Sequence, residues 1–158
     1  MKTGLSTIAK AVALVAFVSA SGIAAAAGTQ TLVVTATVSG LCKFSTANVL
    51  TMSPAAAIDP SGTANVTMTR TLNYNCTKGV SPTGGVTATT ANGAVRNMAN
   101  GLETLAYTLA WTGDTVAGTG FGTGTSKPVI FTGTITALQY QNAAALTFTD
   151  NVVLNINP

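Results

Sequence analysis

Residue types that usually carry out catalysis are scarce in this chain. It contains no histidine and only four acidic residues among 158, which excludes Ser-His-Asp and Cys-His nucleophiles. Two carboxylates could form an acid–base pair if the fold brought them together, but they are far apart in sequence: Asp59, Glu103, Asp114 and Asp150. We therefore predict that the protein is not an enzyme and needs no cofactor.

One glycine-rich stretch, GTGFGTGTSK at 118–127, superficially resembles a phosphate-binding loop. Its last two residues are Ser-Lys instead of Lys-Ser/Thr, and Pro128 with an apolar run follows, whereas a phosphate loop opens a helix. We predict a flexible surface loop over 112–128 and a second loop over 91–101.

The N-terminus has the pattern of a secretory signal peptide. Lys2 and Lys10 precede an apolar run, AVALVAFVSA, that is too short to span a bilayer comfortably. Ala25 and Ala27 form an Ala-x-Ala pair, which predicts a signal peptide over 1–27, cleaved before Gly28. An uncleaved membrane anchor is the alternative. After cleavage we expect one domain without stable membrane insertion.

The only two cysteines, Cys42 and Cys76, both lie beyond the predicted cleavage site. An even count in an exported protein indicates a disulfide, which would contribute about 3–4 kcal/mol in the chain-entropy model. A reduced pair in an inert core is the alternative. Two cysteines without histidine are too few ligands for a metal site.

The charge distribution gives no sign of nucleic-acid binding. The formal net charge of the whole chain is +3, but Lys2 and Lys10 belong to the predicted signal peptide. The remaining charges are scattered along the sequence, so they form no basic patch.

Composition favours an all-β fold. The chain has 29 threonines, mostly interleaved with Val, Ile, Leu and Ala, and β-branched residues suit a pleated sheet. Short strands between turn signals suggest a sandwich. We predict strands at about 31–38, 41–45, 48–52, 63–76, 85–90, 104–112, 128–136 and 146–157.

In the segment LAYTLAW, Leu105, Tyr107 and Trp111 share one strand face. A core-facing row is the simpler interpretation, and an exposed sugar-binding face is the alternative.

The segment TLVVTATV at 31–38 alternates apolar and polar residues, with Leu32, Val34, Ala36 and Val38 on one side. This period is typical of a strand with one buried face. From the residues alone, the strand could belong to its own sandwich or to that of a neighbour. Ser39 and Gly40 would form a flexible joint before Cys42.

Several segments in this order resemble the spore coat protein U family, which includes the pilins of archaic chaperone–usher pili. They are the apolar alternation before Cys42, LNYNCT around Cys76, LAYTLAWTGD, VIFTGTITALQ and ALTFTDNVVLNI. The last two resemble a family C-terminal motif at Gly133, Phe148, Asp150 and Val152. Leu146 stands where the family usually has glycine, and Phe148 where it usually has tyrosine.

The resemblance implies an incomplete immunoglobulin-like β-sandwich that is completed by a donor strand. It divides the mature chain into a donor segment, 28–39, and a pilin domain, 40–158. A periplasmic chaperone, an outer-membrane usher and identical or related subunits would be the partners. The product would be a fimbrium on the surface of a Gram-negative bacterium, serving adhesion or biofilm formation.

Two other functions remain open at this point. One is a non-polymerising secreted coat or ligand-binding domain of the same fold. The other is an adhesin at a pilus tip, which generally carries an extra binding domain for which this chain has no room.

Overall fold

The computed structural model describes residues 28–45 and 50–158. The chain divides into two units, Met1–Ala36 and Thr37–Pro158. The predicted signal peptide lies outside the described residues.

The predicted strand at 31–38 does not form. Residues 28–41 are irregular and exposed, with Leu32 at 86% exposure and both Val34 and Val38 at 81%. The alternation alone cannot make a strand, because a strand needs a neighbour for its backbone hydrogen bonds.

Among the described residues, the regular secondary structure of the second unit is almost all β. The strands are β1 (Cys42–Phe44), β2 (Val66–Cys76), β3 (Val86–Ala88), β4 (Ala94–Asn100), β5 (Glu103–Thr112), β6 (Lys127–Ile135) and β7 (Leu154–Ile156), with one short helix, α1 (Ala137–Tyr140). Five strands form an antiparallel sheet in the order β1-β2-β6-β5-β4, and β3 pairs with β7. The prediction of an all-β, immunoglobulin-like fold is confirmed.

Alternation along β2, β5 and β6 places one face of the large sheet in the core. Leu105, Tyr107 and Trp111 are all buried on β5, so the core interpretation of LAYTLAW is confirmed and the sugar-binding alternative is wrong. The rings of Trp111 and Phe131 lie 5.8 Å apart. Burying each such side chain contributes about 1.5–3 kcal/mol.

Cys42 and Cys76 form the predicted disulfide, with 34 residues of separation. They are register partners on β1 and β2, and both are buried. The short strand β1 is thereby tied to the longest strand of the sheet.

Several strand boundaries differ from the prediction. Residues 94–100 form β4, although a loop was predicted there. The prediction missed this strand because AVRNMAN lacks clear alternation. Gly93 and Gly101, both with positive φ, lie at its two ends. Of the predicted strand 146–157, only β7 is regular, with one bridge between Ala99 and Thr149. Residues 50–52 are irregular, whereas 48–49 lie outside the described residues.

Helix α1 was not predicted. It begins after Thr136, whose backbone N–H donates to the side-chain oxygen of Gln139 at 2.8 Å. The prediction of 112–128 as a loop holds for residues 113–126, which contain neither strand nor helix.

Candidate functional site

A long apolar groove opens in the second unit. Its volume is about 950 Å³, near the upper end of the range of about 300–1,000 Å³ that is typical of binding clefts. The sheet contributes Met68, Leu72, Leu109 and Phe131. Two further segments line the groove, 43–44 with 50–53 on one part of the chain and 147–154 near the C-terminus.

The apolar side chains of these two segments are only half-buried. They include Phe44, Leu50, Met52, Phe148, Val152 and Leu154, and all of them pack against the core. An apolar groove that the described residues leave open is costly in water and usually marks a site of interaction.

The backbone beside the groove also has one hydrogen-bond donor without a partner among the described residues. Thr149 exchanges two backbone hydrogen bonds with Ala99, and the carbonyl oxygen of Val153 accepts one from Thr89. The backbone N–H of Val152, between these contacts, donates no hydrogen bond to any described residue. An extended peptide entering the groove could therefore pair with this segment.

A polar cluster anchors the C-terminal segment to the sheet. Arg96 donates to both oxygens of Asp150, at 2.7 and 3.1 Å, and to the hydroxyl of Thr89 at 2.9 Å. The Tyr107 hydroxyl donates to Asp150 at 2.8 Å. Such charge-assisted, bidentate bonds are among the stronger ones.

The cluster changes the acidity of its members. The hydrogen bond from Arg96 lowers the pKa of Asp150. Burial, followed by the hydrogen bond to Asp150, raises the pKa of Tyr107 to about 12. Asp150 is thus held ionised and Tyr107 neutral, which keeps the C-terminal segment beside the groove.

The C-terminal motif residues fall at or beside this groove. Phe148, Asp150 and Val152 line it. Gly133 lies on β6 where an added Cβ would come within 2.8 Å of Met52 and 3.0 Å of Met68. A glycine at this position therefore leaves room for two methionines that line the groove.

Ser39 and Gly40, the predicted joint, lie beside the segment that follows β2. The Ser39 carbonyl accepts a hydrogen bond from the Thr77 hydroxyl at 3.2 Å. A Cβ on Gly40 would meet Val80 only at an ordinary 3.5 Å. Their role as a joint stays a prediction, as does the role of Leu32, Val34, Ala36 and Val38 as a donor row.

The glycine-rich loop belongs to the scaffold. It is followed by β6, not by a helix, and its backbone bonds to the segment after β2 through Gly79 to Gly118 and Gly120 to Cys76. The phosphate-binding interpretation is thus unsupported, as the sequence indicated.

Within residues 28–45 and 50–158, no cluster of three or more His, Cys, Asp or Glu side chains could hold a metal ion. In that same part of the chain, no helix combines the length and hydropathy needed to cross a bilayer.

The family resemblance implied an incomplete sandwich with an open groove, but the sequence did not identify the residues that line it. Its sheet residues read as ordinary core positions, because alternation reports only which face is inward. Several of the residues that line the groove are Phe, Leu or Met, but nothing in the sequence shows that these side chains are left half-buried.

Fold and groove together define an immunoglobulin-like domain with one disulfide and an apolar groove that the described residues leave open. A family model described as the Spore Coat Protein U domain matches residues 28–155, and the chain belongs to this family. Membership is consistent with a structural subunit of a pilus or coat. Searches of curated proteins and of solved structures found no match.

Proposed function

We propose that the protein is a fibre-forming subunit, in which residues 31–38 of one copy fill the groove of the next. The observation that carries this proposal is the pairing of two exposed apolar features in one chain. One is the alternating segment, and the other is the groove beside Val152.

The energetics favour such an exchange. Leu32, Val34 and Val38 would each gain about 1.5–3 kcal/mol on full burial, and Ala36 less. The incoming backbone would supply ladder hydrogen bonds to the Val152 region. Together these gains must exceed the cost of ordering the segment.

Donor segment and groove are different surfaces, so the contact is head-to-tail. Head-to-tail contacts that do not close into a ring generate filaments. In this proposal a periplasmic chaperone covers the groove before assembly, and an outer-membrane usher directs subunits to the cell surface. There the fimbrium serves adhesion or biofilm formation.

The test compares two full-length variants that place the same charge on opposite faces of the donor strand. Val34→Asp puts a carboxylate toward the groove, and we expect it to abolish SDS-resistant polymers, because an unpaired buried charge is strongly unfavourable. Thr35→Asp points away from the groove and should still polymerise. Normal polymers from Val34→Asp would contradict the proposal and favour a non-polymerising coat or binding domain.

A further inference from the structure

Three charged residues line the groove: Lys43, Arg70 and Asp150. Of these, Arg70 interrupts the apolar inward row of β2. On β2 the inward row runs through Met68, Arg70 and Leu72. Met68 and Leu72 are buried, whereas Arg70 is exposed and lines the groove.

Arg70 has no carboxylate partner within this chain. The only ion pair among the described residues joins Arg96 to Asp150. Residues 1–27 and 46–49, which the structure does not describe, contain no Asp or Glu. Water therefore solvates the guanidinium of Arg70 while the groove is open.

A strand that covers the groove displaces part of this water. A charged donor that loses water needs a new acceptor, or the complex is weakened. The donor row of this chain is apolar at Leu32, Val34, Ala36 and Val38, and the same parity continues to Gln30. The amide oxygen of Gln30 is the side-chain acceptor that this row offers.

The sheet register gives the direction of such a strand. Arg70 pairs with Phe131, which pairs with Trp111, and Met98 pairs with Leu105 at the other end of the groove. Trp111 and Leu105 are six residues apart on β5, so with Gln30 at Arg70 a strand aligned with the sheet carries Leu32, Val34 and Ala36 toward Met98 and ends at Val38 just beyond it. In the opposite direction it would run past Leu72 and leave the groove near Phe44.

We propose that Arg70 selects the register of the incoming strand by donating a hydrogen bond to Gln30 of a second copy. This inference rests on the proposed strand exchange. A slip by two residues would place Leu32 against the guanidinium and Gln30 outside its polar contact. Both changes are unfavourable.

The experiment uses peptides of residues 28–39 and, as the host that receives them, the full chain carrying Val34→Asp. This substitution weakens the binding of the host's own residues 31–38 to the groove, so they compete poorly with the added peptide. We would measure the dissociation constant of the natural peptide, its Gln30→Glu variant and a Thr31→Glu control. Thr31→Glu adds the same charge on the outward face. Each peptide is titrated into hosts with Arg70 and with Arg70→Gln.

On the Arg70 host, Gln30→Glu should bind about tenfold more tightly than the natural peptide, because a charge-assisted bond replaces a neutral acceptor. On the Arg70→Gln host this gain should disappear, and Thr31→Glu should show no gain specific to Arg70. As a reciprocal check, Gln30→Lys should prefer an Arg70→Glu host.

Equal effects of Gln30→Glu on both hosts, or an equal gain from Thr31→Glu, would overturn the register proposal and leave strand exchange intact. Failure of every peptide to bind would instead overturn strand exchange and, with it, this inference. Circular dichroism establishes that each host is folded before titration.

Discussion

At the scale of single residues, Asp150 fixes the C-terminal segment to the sheet. In the sequence it is one residue of the family C-terminal motif, with no partner indicated. In the structure it accepts hydrogen bonds from Arg96 and Tyr107, and so holds the segment that borders the groove. Its function depends on two partners more than 40 residues away in sequence, which no local pattern reveals.

We expect Asp150→Asn to lower the free energy of unfolding by about 1.5–3 kcal/mol, because hydrogen bonds to a charged group are lost. Asp59→Asn is the matched control, since among the described residues its carboxylate accepts hydrogen bonds only from Ser61, at an exposed turn, and it should change stability little. Chemical denaturation of both variants at neutral pH measures the difference.

The same pair has a defined pH dependence. Because the folded-state pKa of Asp150 is lowered below 3.8, its contribution is fully present above that value and is lost as pH falls through the folded pKa. The stability gap between the natural chain and Asp150→Asn should therefore be constant near neutral pH and shrink below about pH 3.8. A gap that persists unchanged in acid would contradict this role for Asp150.

At the scale of elements, the sequence pattern predicted the long strands β2, β5 and β6 but not strand β4. Strands β2, β5 and β6 were predictable because apolar residues alternate along them and one face is buried. Strand β4 was not, since Arg96 and Asn97 break the alternation and the flanking glycines resemble loop signals. The resemblance implied an open groove, but its lining could not be predicted, because it is formed by several elements that are distant in sequence.

The glycine-rich loop at 118–127 has a structural role that its composition did not indicate. A Cβ on Gly118 would overlap the carbonyl oxygen of Cys76, so this loop packs directly against the end of β2 and its disulfide. Composition alone predicted a flexible surface loop. Close approach of two backbones is a second reason for glycine at such a position.

We expect Gly118→Ala to destabilise the domain by about 1–3 kcal/mol, as overpacking commonly does. Gly122→Ala lies in the same loop, and its Cβ would meet only a Thr125 methyl group at 3.8 Å. It should therefore remain within about 0.5 kcal/mol of the natural chain. Urea unfolding distinguishes the two, and equal stability of both variants would show that the contact at Cys76 is dispensable.

At the scale of the whole molecule, the proposed exchange depends on two apolar features of one chain. The segment at 31–38 is exposed, and the described residues leave an apolar groove open in the second unit. Either feature alone would promote nonspecific association. In the proposed exchange, they would form a directional contact between copies that repeats without closing.

The most direct test of this account is thermal unfolding of the full Val34→Asp chain with the natural peptide of residues 28–39. We predict that the peptide at about a hundred times its dissociation constant raises Tm by roughly 10 °C, while the same peptide carrying Val34→Asp does not. If the chain instead unfolds at one Tm that neither peptide changes, its groove does not accept this strand and strand exchange is contradicted.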